Sequence, residues 1–164
     1  MERWSIEIDK EYLKFSAAHF LIFPDGTAER LHGHNYHVRA EIDARLSEHG
    51  LVMDFQHIKP VIRELVDRLD EHWLLPGEHP ELFVEEDGAH VNVRWKEREY
   101  RAPKEDVIVL PINNTSAENF SGYLGRQLLA ELRRQYPDVR VARIVMKVQE
   151  TAGQRGVWTA TFDE

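Results

Sequence analysis

The chain contains no cysteine. Disulfides, thiolate metal ligands and a thiol nucleophile are therefore excluded, and any metal site must be built from His, Asp or Glu. A long apolar run is also missing, because no stretch reaches the roughly 20 residues that a membrane-spanning helix requires. The opening MERWSIEIDKEY alternates charged with apolar residues and has no apolar segment of the roughly 7–15 residues that a secretion signal needs. The expected location is the cytoplasm. There is no basic excess either: 29 acidic residues outnumber 21 basic ones, for a net charge of −8. Neutralising the phosphates of a nucleic acid or an anionic membrane takes a basic face, so neither is an expected partner. A local basic pocket for a phosphorylated small molecule remains open. No internal repeat or low-complexity linker interrupts the 164 residues, which are expected to form one domain with its own core.

What is present reads as an α+β chain. Trp4 to Phe15 alternates as a first strand, with Trp4, Ile6 and Ile8 on one face. Phe20 to Arg30 carries Pro24, Asp25 and Gly26, a loop signature. Asn35 to Arg45 is a second strand, with Tyr36, Val38, Ala40 and Ile42 sharing a face. Asp54 suits the N-cap of a helix from Phe55 to about Leu69, whose stripe is Ile58, Val61, Ile62, Leu65, Val66 and Leu69. From Pro76 to Lys104 the turn signals are dense, and Glu85-Glu86-Asp87-Gly88 predicts a hairpin turn before Val91–Trp95. Val107 to Leu110 is a short strand. Ser116 caps a second helix, Ala117 to Tyr136, with Phe120, Tyr123, Leu124, Leu128 and Leu132 on its apolar side. Two closing strands, Arg140–Glu150 and Val157–Phe162, meet at Ala152-Gly153. The order places two helices on one face of an antiparallel sheet.

The most informative segment is Leu31-His32-Gly33-His34-Asn35-Tyr36. Residues two apart on a strand project to one face, so His32 and His34 can address one ion. Gly33 between them leaves room for a neighbouring backbone. His19 ends the first strand, in Phe15-Ser16-Ala17-Ala18-His19, and lands beside the other two if the first two strands pair antiparallel. Three imidazoles with an open fourth position make the ligand set of a catalytic rather than a structural zinc. The alternative is that all three are strand-end histidines satisfied by ordinary hydrogen bonds. His37, His49, His57, His79 and His90 read as surface residues.

In order, FSAAH, LHGHNYHV, VMDFQHIK, RLDEHWL, TSAEN and VQET resemble the 6-pyruvoyltetrahydropterin synthase family, which includes the bacterial 6-carboxytetrahydropterin synthases. The match runs from Phe15 to Trp158 and leaves Pro76–Lys104 as an inserted hairpin. The resemblance implies the tunnelling (T-) fold: a four-stranded antiparallel sheet with two helices on one face, assembled as a homo-trimer or hexamer with active sites at subunit interfaces. It implies one Zn2+ held by His19, His32 and His34. It also implies a pterin ring held by Glu150 and by the turn of Thr115, Ser116 and Glu118, with 7,8-dihydroneopterin triphosphate as the usual substrate.

The chain departs from the family in two places. The family's proton-moving cysteine precedes HGH, where this chain has Asp25-Gly26-Thr27-Ala28-Glu29-Arg30-Leu31. Glu29 is the acid–base candidate and Asp25 the runner-up. Some members carry glutamate instead and cleave the side chain to 6-hydroxymethyl-dihydropterin. The family also pairs an aspartate with the histidine directly after it. Here Asp70 is followed by Glu71 and only then His72, so either Asp70 orients His72 or Glu71 serves as base. Three functions stay open: a zinc-dependent pterin lyase, a non-catalytic zinc-containing pterin- or purine-binding oligomer, and a plain structural domain. In the insertion, Trp95 and the Arg94–Arg101 cluster, with Trp73 nearby, either shape a substrate mouth or decorate a hairpin.

Overall fold

The structure, a computed structural model, describes residues 2–162. Two long strands open the chain, β1 (Trp4–His19) and β2 (His32–Ala44), paired antiparallel. On β2 the expected alternation holds: Tyr36, Val38, Ala40 and Ile42 are all fully buried. On β1 the alternation changes phase at a register shift between Asp9 and Lys14. Ile8 faces inward before the shift, and Leu13, Phe15, Ala17 and His19 face inward after it. Trp4, read as sharing the face of Ile8, is exposed.

Helix α1 (Phe55–Asp67) starts at Asp54, whose carboxylate accepts the Gln56 N–H at 2.7 Å. Its predicted stripe is buried from Ile58 to Leu69. Helix α2 (Ala117–Gln135) starts at Ser116, whose hydroxyl accepts from Asn119 N. Both caps satisfy an N–H that the first helical turn leaves unpaired. Strands β8 (Val141–Thr151) and β9 (Gln154–Thr161) close the chain, so β1, β2, β8 and β9 form the antiparallel sheet that was expected.

That sheet has two further members. Strands β3 (His72–Pro76) and β7 (Val107–Leu110) add to the β1 edge, parallel to β1 and to each other, giving six strands in the order β7-β3-β1-β2-β8-β9. The sequence reading leaves β3 out because Trp73-Leu74-Leu75-Pro76 has no alternation. The strand is buried on both faces, and such strands read as continuous apolar runs. The insertion is also larger than a hairpin. It is a three-stranded meander of β4 (Phe83–Asp87), β5 (His90–Trp95) and β6 (Arg98–Pro103). The expected turn near Gly88 joins β4 to β5, but the next turn passes through Lys96 in the left-handed region at φ 52°. With no glycine or asparagine to announce it, that turn gives no sequence signal.

Two apolar cores result. The larger packs α1 and α2 against one sheet face and includes Phe15, Tyr36, Leu74 and Phe120. The smaller lies on the other face, where Phe20, Ile22, Trp73 and Leu75 meet Val91, Val93 and Trp95 of the meander. Trp95 is only 4% exposed, so it is part of a core rather than a decoration on a hairpin. Among the described residues no helix is long and apolar enough to cross a membrane.

Candidate metal centre

His19 ends β1 and His32 begins β2, and the register places them directly opposite, with His34 opposite Ala17. Paired residues share a face, so the three rings converge at the end of the larger core. Each offers one nitrogen, and these atoms lie within 4.8 Å of one another. The close approach anticipated at Gly33 is made by the neighbouring strand: a Cβ there would stand 3.1 Å from the Ala17 carbonyl oxygen.

Hydrogen bonds on the far side of two rings fix which nitrogen faces inward. His19 Nδ1 lies 2.9 Å from the Thr115 carbonyl oxygen and His32 Nδ1 lies 2.7 Å from that of Arg30. A carbonyl only accepts, so both Nδ1 atoms carry the hydrogen and both Nε2 atoms present a lone pair. Burial lowers the His19 pKa and keeps the ring neutral, although the Thr115 carbonyl and the Glu150 charge act in the opposite sense. His19 Nε2 is buried without a hydrogen-bond partner. His32 Nε2 and His34 Nε2 stand only 2.9 Å apart. Converging lone pairs with one orphaned and buried atom fit a cation that these three histidines would hold.

Two carboxylates border this cluster. Glu29 Oε2 is 3.9 Å from His32 Nε2 and accepts the Leu21 N–H at 3.0 Å. Glu150 Oε1 is 3.4 Å from His19 Nε2 and 3.7 Å from His34 Nε2. The Tyr36 hydroxyl donates to the same Glu150 oxygen at 3.3 Å. Burial, reinforced by the charge of Glu150, raises the Tyr36 pKa far above its usual range, so this hydroxyl remains a donor. Sequence reading assigned Tyr36 to the core alone. Its place two residues after His34 on the same face was the signal that its hydroxyl reaches the site.

The other anticipated residues take varied places. Thr115 is fully buried, its hydroxyl donating to the Phe20 carbonyl at 2.9 Å while its own carbonyl holds His19. Ser116 caps α2, and Glu118 is exposed in the first turn. That helix start lies against β9 at Gly156, where a Cβ would come within 2.3 Å of the Ala117 carbonyl carbon. Asp25 is committed to its own turn, accepting from Thr27 N and Thr27 Oγ1 at 2.9 and 2.6 Å. These bonds hold its carboxyl below the usual carboxylate range.

Asp70 and His72 do not meet through the Asp70 carboxylate. That group accepts the Ser16 N–H at 2.7 Å, and His72 Nδ1 instead donates to the Asp70 carbonyl at 2.6 Å. Glu71 between them is exposed, at φ 58°. His72 pairs with Ala17 across β1 and β3, and with His34 it lines a cleft of about 620 Å³.

The chain is similar to known proteins along most of its length. The family model described as 6-pyruvoyl tetrahydropterin synthase matches residues 7–159. A putative 6-carboxy-5,6,7,8-tetrahydropterin synthase of Methanocaldococcus jannaschii is 34% identical over 74% of this chain and 74% of its own length. Among solved structures, the 6-pyruvoyl tetrahydropterin synthase of Plasmodium vivax superposes with a TM-score of 0.92, covering 99% of this chain and all of that one at 27% identity. Two further structures of the Plasmodium vivax enzyme, each at 26% identity and a TM-score of 0.91, are variants in which a catalytic glutamate is replaced, by alanine in one and by cysteine in the other. This chain belongs to the 6-pyruvoyl tetrahydropterin synthase family and is one of its pterin-processing lyases.

Proposed function

We propose that this lyase is zinc-dependent and cleaves the side chain of 7,8-dihydroneopterin triphosphate, with Glu29 as its proton carrier. The observation that carries this reading is the Glu29 carboxylate 3.9 Å from His32 Nε2 in a chain without any thiol. The catalytic glutamate of the Plasmodium vivax enzyme supports it. The family resemblance associates a glutamate in this loop with cleavage to 6-hydroxymethyl-dihydropterin.

Zinc on the Nε2 atoms of His19, His32 and His34 would supply Lewis-acid polarisation of the substrate's side-chain hydroxyls. Glu29 takes the proton from the hydroxyl on the second side-chain carbon. The bond between the first and second side-chain carbons breaks, and its electron pair passes into the ring's C6=N5 imine. The second carbon leaves as an aldehyde carrying the triphosphate. The proton is then delivered to the first carbon, which restores the imine and leaves the 6-hydroxymethyl group. Glu150 accepts two N–H bonds from the amidine-like edge of the pterin. Ser116 and Glu118 offer a hydroxyl and a carboxylate to the same ring, and Thr115 serves it through its hold on His19. His72, oriented by the Asp70 carbonyl, is the second proton carrier. In this reading the protein works in the cytoplasm as a homo-trimer or hexamer, joined through the outer strands β7 and β9, where Val109 and Val157 are exposed.

The test is to incubate zinc-loaded protein with 7,8-dihydroneopterin triphosphate and identify products by mass spectrometry. A 6-hydroxymethyl product together with a triphosphorylated two-carbon aldehyde is the expected result. A 6-pyruvoyl or 6-carboxy product would keep the family chemistry but overturn the cleavage. Unchanged substrate that remains bound would favour a pterin-binding oligomer without turnover.

A further inference from the structure

We propose that Arg98 is a positioning residue for Glu29, and that the inserted meander exists to brace the loop presenting this carboxylate. The inference rests on the reading of Glu29 as proton carrier. Residues 20–31 link β1 to β2 with a single β-bridge, Ile22 to Ala28, and one tight turn closed by Phe23 N to Thr27 O at 2.8 Å. Within the loop, Glu29 and Leu21 bond reciprocally: Glu29 N donates to Leu21 O at 2.9 Å, and Leu21 N donates to Glu29 Oε2 at 3.0 Å. These bonds aim the carboxylate relative to Leu21, but they do not fix the loop relative to the rest of the molecule.

The loop's first arm is tied to the segment leading into α2, where Asn114 bonds the N–H and the carbonyl of Ile22 at 3.3 and 2.8 Å and the Thr115 hydroxyl donates to the Phe20 carbonyl at 2.9 Å. The meander holds the second arm, which carries Glu29. One guanidinium nitrogen of Arg98 donates to the Glu29 carbonyl at 2.6 Å, and the other donates to the Ala28 carbonyl at 3.3 Å. Lys96, two residues earlier, donates to the Gly26 carbonyl. Both cations lie over the Trp95 ring, Lys96 Nζ at 4.7 Å and the Arg98 guanidinium carbon at 5.3 Å from its centroid. Trp95 in turn is packed in the smaller core against Phe20 and Ile22, the residues from which the loop departs. The grip therefore has a rigid base, and it closes a sequence separation of 69 residues.

An arginine suits the task because its planar fork presents donors on two separate nitrogens to two consecutive carbonyls, whereas a lysine's donors all radiate from one atom on a flexible stem. Gripping the carbonyls rather than the carboxylate fixes the Glu29 backbone. Turnover is sensitive to such placement, because a displacement of about 1 Å can cost on the order of 100-fold.

The experiment is a double-mutant cycle of wild type, Arg98→Ala, Glu29→Ala and the double variant, each loaded with zinc. Arg98→Ala is expected to lower kcat by about 10- to 100-fold, with KM changed by less than about 3-fold and zinc retained. In the Glu29→Ala background, adding Arg98→Ala is expected to lower kcat no further, since the group being positioned is gone. Arg98→Lys keeps the charge over Trp95 with a poorer grip and is expected to fall between. If Arg98→Ala melts before the assay temperature, Arg98→Lys takes its place in the cycle. An additive loss, or a raised KM with unchanged kcat, overturns the positioning role and leaves the proposed function standing. Wild-type turnover by Glu29→Ala overturns both.

Discussion

At the residue scale the centre depends on tautomers rather than on charges. His19 and His32 each spend Nδ1–H on a backbone carbonyl, and this leaves two lone pairs aimed at one point. The expected consequence is that His32→Ala lowers bound zinc from about one per chain to nearly none, as elemental analysis after dialysis would show, because two remaining imidazoles fall short of the three protein ligands typical of such a site. Full occupancy in that variant would remove His32 from the ligand set. The histidines themselves were legible, because HxH on a strand constrains direction. The Thr115 carbonyl that orients His19 was not legible, since every residue has a carbonyl and nothing in its side chain advertises the bond. Thr115 was singled out for its hydroxyl, which the structure places on Phe20 instead.

At the scale of elements, strands and helices with a clean period were readable, and those that derive their stability from both faces were not. The stripes of α1 and α2 and the inner face of β2 follow from spacing. Strand β3 is silent because it is apolar from Trp73 to Pro76, and β6 because it mixes charges with small or aromatic groups after an unannounced turn. One cross-strand contact yields a further expectation. Arg143 on β8 donates to both Asp43 oxygens on β2, at 2.8 and 3.2 Å, and these bonds hold the Asp43 carboxyl below the usual carboxylate range. A depressed folded pKa contributes stability above the unfolded value of about 4, and that stability is lost as pH falls through the folded value. Asp43→Asn should therefore cost about 1.5–3 kcal/mol at pH 7. In paired melts the difference should shrink as the pH drops below about 4. A difference constant down to acid pH would mean that the loss is one of packing, not of charge.

At the scale of the whole molecule, the metal should add to stability by mass action, because the three ligands converge only in the folded chain. At free zinc 100-fold above its dissociation constant, that coupling is about 2.7 kcal/mol. Stripping the protein with a chelator should lower its melting temperature by a few degrees, and zinc should restore it while magnesium does not. An unmoved melting temperature would show that the three histidines hold no ion under those conditions. The bond between His19 and Thr115 spans 96 residues, and that between Tyr36 and Glu150 spans 114. A chain leaving the ribosome exposes all three histidines long before either partner has been synthesised. An ion captured at that stage would find a His19 ring free to offer either nitrogen, and no Glu150 beside it. Correct loading therefore belongs to the completed chain. Nascent chains stalled before α2 would be weak and undiscriminating metal scavengers, although they carry all three histidines.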